Sequence, residues 1–325
     1  MARVWIAGVV GVGMLGLGGT AGAETWQSYT FATGQTENTR MQAIAERVEE
    51  ATGGEIEIHH TTGGGLPISG NDVQQAVAED IIQFGQAGGG AVSFVPIFGL
   101  SRIPGLYENG EEFADAVELL RPYFDEDFAE KGVTVLCTFL YPQQTIFARQ
   151  EVDELSDLDG LRVRVTSPEQ ALIIEALGGV PVTLVASDVP PALQQGAVDA
   201  VLTAGSGGGH IWADLLSHNY RVPINWSQGF VLVNQARFEA LDDETQATIR
   251  QISEEECQGM TDGLLGGEAE VMAGLEEDGM VVTEARPDDL ARLREISSSL
   301  WEDYAAEVGE DGIAALAEIR DMLGR

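Results

Sequence analysis

The chain has 325 residues, 44% of them hydrophobic, with 53 acidic residues against 17 basic ones and a formal net charge of −36. That length fits two domains of ordinary size, and the apolar content rules out disorder over most of the chain. So large a negative charge repels phosphate and excludes nucleic acid as a partner.

Residues 1–23 carry an early Arg3, an apolar stretch of small residues, and Ala21-Gly22-Ala23 at their end. This is the pattern of a secretory signal peptide cleaved after Ala23, so a soluble mature chain in the periplasm is expected. No later run reaches the ~18 apolar residues of a membrane span. Lys131 is the one lysine. An acidic, lysine-poor surface suits high salt, where carboxylate repulsion is screened over a few Å, and predicts a halophilic source. Cys137 lies in the strand-like "VTVLCTFLY" and Cys257 in the helical "QISEEECQGM". Export permits a bridge, but two lone cysteines in a chain this large read as free and buried.

In chain order, "TWQSYTFATG" alternates as a strand, residues 36–52 place Met41, Ile44, Ala45 and Val48 on one helical face, and "EIEIHH" alternates again. The chain thus opens strand–helix–strand, the unit of a sheet with helices on its faces. A short helix follows to Ala78, capped by Asn71 or Asp72. "DIIQFGQAGGGAVSFV" reads as a strand entering a glycine-rich turn, "FADAVELLRPYF" and "DEDFAEKG" as helical, and "VTVLCTFLY" as a central strand. At Pro142 the pattern restarts, with a strand expected over 146–149. "LRVRV" and "VPVTLV" are strands around the helix "SPEQALIIEALGG", with Ser167 as N-cap and Pro168 at its first position. "SDVPPALQQG" is a capped helix and "VDAVLT" and "QGFVLVNQARF" are strands. Residues 243–277 form a long helix with a possible break at Gly266-Gly267, and helices close the chain after "MVVTEA".

Several chemistries are missing. "TTGGGLPISG" and "AGSGGGHIW" lack the lysine of a phosphate-binding loop and read as turns and close backbone approaches. No His/Cys/Asp spacing resembles a zinc site, and adjacent His59 and His60 face opposite ways on a strand. Nothing is spaced for proton transfer or nucleophilic attack, so neither an enzyme nor a cofactor is expected.

One feature stands against the composition. Arg162 and Arg164 occupy a five-residue apolar strand of an acid-rich chain, on one face of it. The strand runs into the helix opened by Ser167. The carboxyl end of a strand next to a helix N-terminus is where open α/β sheets bind anions, and a guanidinium grips a carboxylate bidentately. A salt bridge to Asp157 or Asp159 is the structural alternative. Local sequence leaves Arg164 open between the two and favours the salt bridge for Arg162.

The stretch "LSDLDGLRVRV…EALGGVPVTLVASDVPPALQQGAVDAV" resembles the TRAP transporter substrate-binding proteins (DctP-like). "RVEEATGGEIEIHHTTGGGL", "RIPGLYENGEEF" and "EKGVTVL" extend the likeness, in order, over most of the mature chain. The resemblance implies an α/β protein of the type II periplasmic-binding-protein fold, two domains around a ligand cleft with a long helix spanning both. The implied domains are 24–141 plus 230–268, and 142–229 plus 269–325. It implies a periplasmic receptor that delivers a small-molecule carboxylate to membrane permease subunits, as a monomer. A sensor subunit presenting ligand to a receptor kinase is the alternative, and an exported enzyme on the same fold a more distant one.

The resemblance places Arg164 on the family's carboxylate-binding arginine. Ser167, Thr203, Ala186 and Gln144 fall on other cleft positions, with Phe230 on the returning strand and Gln86 and Gly88 from the first domain. Tyr141, Phe147, Trp212 and Trp226 are candidate walls of the pocket or core aromatics. Gln144 stands where sialic-acid-binding members carry a second arginine, which argues against that ligand.

Overall fold

The computed structural model describes residues 24–324, apart from 33 and 108. The expected leader, 1–23, lies outside the described residues. In chain order the elements are β1 (Glu24–Thr30), α1 (Gln35–Ala51), β2 (Ile56–Thr61), α2 (Val73–Ala78), β3 (Phe84–Ala87), α3 (Gly110–Ala129) and β4 (Val133–Ala148). Then come β5 (Arg162–Val165), α4 (Pro168–Ala176), β6 (Val180–Thr183), α5 (Val189–Gln194), β7 (Ala200–Thr203) and β8 (His218–Asn234). The chain ends with α6 (Gln235–Glu239), α7 (Asp243–Glu277), β9 (Val281–Glu284), α8 (Pro287–Val308) and α9 (Glu310–Leu323).

The strands form one mixed sheet in the order β2-β1-β3-β8-β4-β7-β5-β6, with β9 beside β8. β4 and β8 are its antiparallel spine. Parallel β1, β2 and β3 lie toward one end and parallel β5, β6 and β7 toward the other. Helices cover both faces, which is why the central strands are nearly continuous apolar runs. At the β1–β3 end, α2, α3 and α9 pack on one face, and α1 with the first part of α7 on the other. At the β5–β7 end, α4 and the start of α8 cover one face, and α5 with Met272 and Leu275 of α7 the other. α7 and α8 each contribute to two cores, so they tie the ends together.

Four expectations need correction. The chain does not restart at Pro142: β4 runs through it as one strand. Its register against β8 shifts between Tyr141 and Gln144 and again before Ile146. A bulge is where a ladder can spare the N–H that proline lacks. "FADAVELLRPYF" and "DEDFAEKG" join into the single helix α3, with Pro122 inside it and Asn109 accepting from the Glu111 and Glu112 amides at its start. α7 is unbroken through Gly266-Gly267, where a side chain would meet only open space. The cysteines are not free: Cys137 of β4 and Cys257 of α7 form a disulfide across 120 residues. Strand and helix pack face to face in one core, a contact that local sequence does not reveal.

Candidate functional site

A cavity of about 330 Å³ lies beyond the carboxyl ends of β1 and β3 on one side and of β5, β6 and β7 on the other, with the β4 bulge between them. This is the place where open α/β sheets bind ligands, and the volume suits a small molecule.

Arg164 reaches it from β5. Val163 and Val165 point into the core, so the alternating arginines take the opposite face. The two arginines then diverge. Arg162, at the strand start, is exposed and pairs with Asp199 at 2.7 Å, a different partner from Asp157 or Asp159. Arg164 is only 5% exposed, its Nε donates to the Leu184 carbonyl at 3.0 Å, and its guanidinium lies 5.3 Å from the Trp212 ring centre. It has no carboxylate partner among the described residues. Burial, and then the neighbouring charge of Arg102, push its pKa down to about 10, so it remains cationic at neutral pH.

Arg102, at the end of the 3-10 turn Pro96–Arg102, also borders the cavity and was missed from sequence. It is fully buried. Its Nε donates to Glu169 Oε1 at 2.5 Å, Nη1 to the Ser227 hydroxyl at 2.5 Å, and Nη2 to the hydroxyls of Thr166 and Ser167. Its charge is therefore spent inside the protein. The available signal was a lone cation in the apolar run "VPIFGLSRIPGLY", the same anomaly that exposed Arg164.

Glu37, in the first turn of α1, is the other charged residue on the wall that sequence reasoning missed. It is 6% exposed and its Oε1 accepts from the Tyr141 hydroxyl at 3.2 Å. Desolvation raises its pKa, partly offset by its own backbone N–H and by Tyr141.

Of the sequence candidates, Arg164, Gln144, Tyr141, Thr203, Ala186, Gly88 and Trp212 border the cavity. Gln144 is held by Gln170 at 2.7 Å. Five others do not line it. Ser167 begins α4 as expected, but its hydroxyl donates to the Glu169 carboxylate instead of capping the helix. Gln86 is fully buried behind Tyr141. Phe230 sits at the centre of an aromatic cluster with Phe98, Phe124 and Phe128. Phe147 packs in the core behind β7, and Trp226 stacks on Phe113. Phe230 stands on a strand face chosen by family position that points to the core, whereas Phe147 and Trp226 take the core alternative left open for them.

The glycine run after β7 builds one wall. A side chain on Gly208 would come within 2.3 Å of the Trp212 ring, so only glycine lets the loop lie on the indole that faces Arg164. Glu268 of α7 holds this loop by accepting from the Gly205 and Ser206 amides at 2.9 and 2.7 Å. Among the described residues no group of three or more potential ligands is arranged for a metal ion.

The family model for bacterial extracellular solute-binding protein, family 7 (DctP), matches residues 27–307. The fold is similar to that of DctP7, a Bordetella pertussis extracytoplasmic solute receptor binding pyroglutamic acid. That match has TM-score 0.86 and 23% identity, over 92% of this chain and all of that one. A marine metagenome TRAP solute-binding protein specific for pyroglutamate gives TM-score 0.84 at 24% identity, over 92% of this chain and 99% of that chain. A TRAP periplasmic solute-binding protein from Roseobacter denitrificans with bound β-D-glucuronate gives 0.84 at 22%, over 91% and 99%. Among curated sequences, the uncharacterized protein YiiZ of Salmonella typhimurium is 24% identical over 164 residues, 49% of this chain. The chain spans about half the length of that curated relative. The family and the structural neighbours are solute receptors, not enzymes. With the family model matched over most of its length, the chain belongs to the bacterial extracellular solute-binding proteins of family 7.

Proposed function

We propose that this protein is a periplasmic receptor of a TRAP-type transporter, exported by its leader, that binds a small organic acid and hands it to a membrane permease. One observation carries the reading: Arg164 is a buried guanidinium that faces a ligand-sized cavity and has no carboxylate partner among the described residues. An uncompensated buried charge is costly, and a ligand carboxylate would remove that cost. The acids named for the structural neighbours, pyroglutamate and glucuronate, are of this class.

The proposed lobes are 24–141 plus 230–268 and 142–229 plus 269–325. On these bounds the lobes are joined through β4 at 141/142, through β8 at 229/230 and through α7 at 268/269. A ligand that touches both walls of the cavity favours the closed form, since only contacts that differ between states shift the equilibrium. A charge-assisted hydrogen bond contributes roughly 1.5–3 kcal/mol. Two or three of them with apolar burial reach about −8 kcal/mol, a micromolar Kd. A thermal-shift screen of small organic acids tests this. Wild type should be stabilised by its cognate acid, and Arg164→Ala should lose that stabilisation with an affinity drop of about 100-fold or more. Equal stabilisation of both proteins by the same acid would show that Arg164 is not the clamp.

A further inference from the structure

The cavity holds a second uncompensated group. Glu37 has no cationic partner within ion-pair distance among the described residues, unlike Glu169, which is matched to Arg102. Among the described residues the only side chain that donates to it is Tyr141, and Gln86 Nε2 in turn donates to that hydroxyl at 3.4 Å. This chain of donors fixes the direction in which the Tyr141 proton points and so holds the carboxyl at the wall. The backbone makes room for it: a side chain on Gly34 would come within 2.4 Å of Glu37 Oε2. That oxygen has no side-chain partner among the described residues. Glu37 hangs from the β1–α1 side of the cavity and Arg164 from the β5 side.

We propose that Glu37 is a specificity-determining residue that accepts a hydrogen bond from an N–H or O–H of the ligand. On this proposal the receptor selects small acids that carry such a donor a few atoms from their carboxylate. The proposal rests on the Arg164 reading, because it assigns the other end of the same ligand. A molecule gripped at both ends joins the two walls, whereas a donor-free acid is gripped at one. Burial of the carboxyl gives the contact its weight: an acceptor taken out of water gains more from a donor than an exposed one does. Burial raises its pKa, in keeping with a carboxyl that has Tyr141 and its own backbone N–H beside it but no cation within ion-pair distance among the described residues.

Isothermal titration calorimetry with two matched pairs of probes tests the assignment. L-Proline and tetrahydrofuran-2-carboxylate share a ring and a carboxylate, and only the first has N–H donors. Pyroglutamate and 5-oxotetrahydrofuran-2-carboxylate differ by a neutral lactam N–H alone, whereas proline's donors sit on a cationic ammonium, so this second pair separates the hydrogen bond from charge. Wild type should bind a donor-bearing member about 10- to 100-fold more tightly than its partner. Glu37→Ala should reduce that ratio to near one, and the near-isosteric Glu37→Gln, which keeps a neutral acceptor, should fall between. Circular dichroism and thermal melts check that both variants fold. Arg164→Ala should weaken all probes alike. Equal affinities within the pairs in wild type, or a ratio that survives in both Glu37 variants while Arg164→Ala still abolishes binding, overturn the Glu37 assignment alone. No binding of any probe to wild type at about 10 mM overturns the Arg164 reading and this one with it.

Discussion

Two arginines two positions apart on one strand face end in opposite circumstances, one paired with Asp199 at the surface and one buried toward the cavity. Period-two alternation predicts that they share a face but is silent on depth. Depth comes from Leu184, just after β6, whose carbonyl receives Arg164, and from Trp212, which arrives from a later loop. Glu37 gives a pH signature at the same scale. Its pKa is raised in the folded protein, so the folded state binds this proton more tightly than the unfolded state does. Stability from this residue is therefore intact below the ordinary glutamate value of 4.5 and is lost as pH rises through the raised folded value. Tyr141 and His210 act on the group in the opposite sense to burial. In the ligand-free protein, Glu37→Gln should match wild type near pH ~4 and melt higher than wild type near pH ~8. Scanning calorimetry across that range checks it, and a difference in Tm that does not vary with pH would refute the assignment of the burial cost.

At the scale of elements, most of the secondary structure was legible because periodicity and capping residues are local. The paired β-α-β signals at both ends, the glycine-terminated helices and the late strand all lie near where the sequence put them. What failed was long-range. Pro142 looked like a terminus because proline is a poor sheet residue, but β8 supplies an equally irregular partner, and the strand continues through a bulge. Phe230 looked like a cleft residue, yet it sits in an aromatic cluster, while Phe147, open between pocket wall and core, lies in the core. Cys137 and Cys257 meet only because α7 lies across β4. Closing a loop of that size constrains the unfolded chain by up to about 5 kcal/mol in the chain-entropy model, and removal of such bonds typically costs 2–5. Cys137→Ser/Cys257→Ser, or reduction of wild type, should lower the urea midpoint accordingly. An unchanged midpoint after verified reduction would mean that the bond adds nothing to the native fold.

At the scale of the whole molecule the excess of 53 acidic over 17 basic residues bears on how an anion arrives. The general field repels a carboxylate and the local field at Arg164 attracts it. Salt weakens the first more than the second, because the cavity is buried and the surface charges are not. Stopped-flow fluorescence, with Trp212 at the cavity as reporter, should show association with an organic acid accelerating as salt is added. A rate that falls steeply with salt would contradict this picture.

The helix α7 carries a further consequence. From position 257 to position 268 is about three full turns, so the cysteine and the glutamate that holds the glycine loop lie along the same side of one rod. The sulfur bond sets the phase of that rod, and Glu268 inherits the setting some 16 Å further on. Receptor made in a reducing cytosol would keep the core packing of the rod but lose this covalent restraint on it. The loop under the indole that Arg164 faces would then be held by Glu268 on a rod with one restraint fewer, so receptor for affinity measurements is best made where the bond can form.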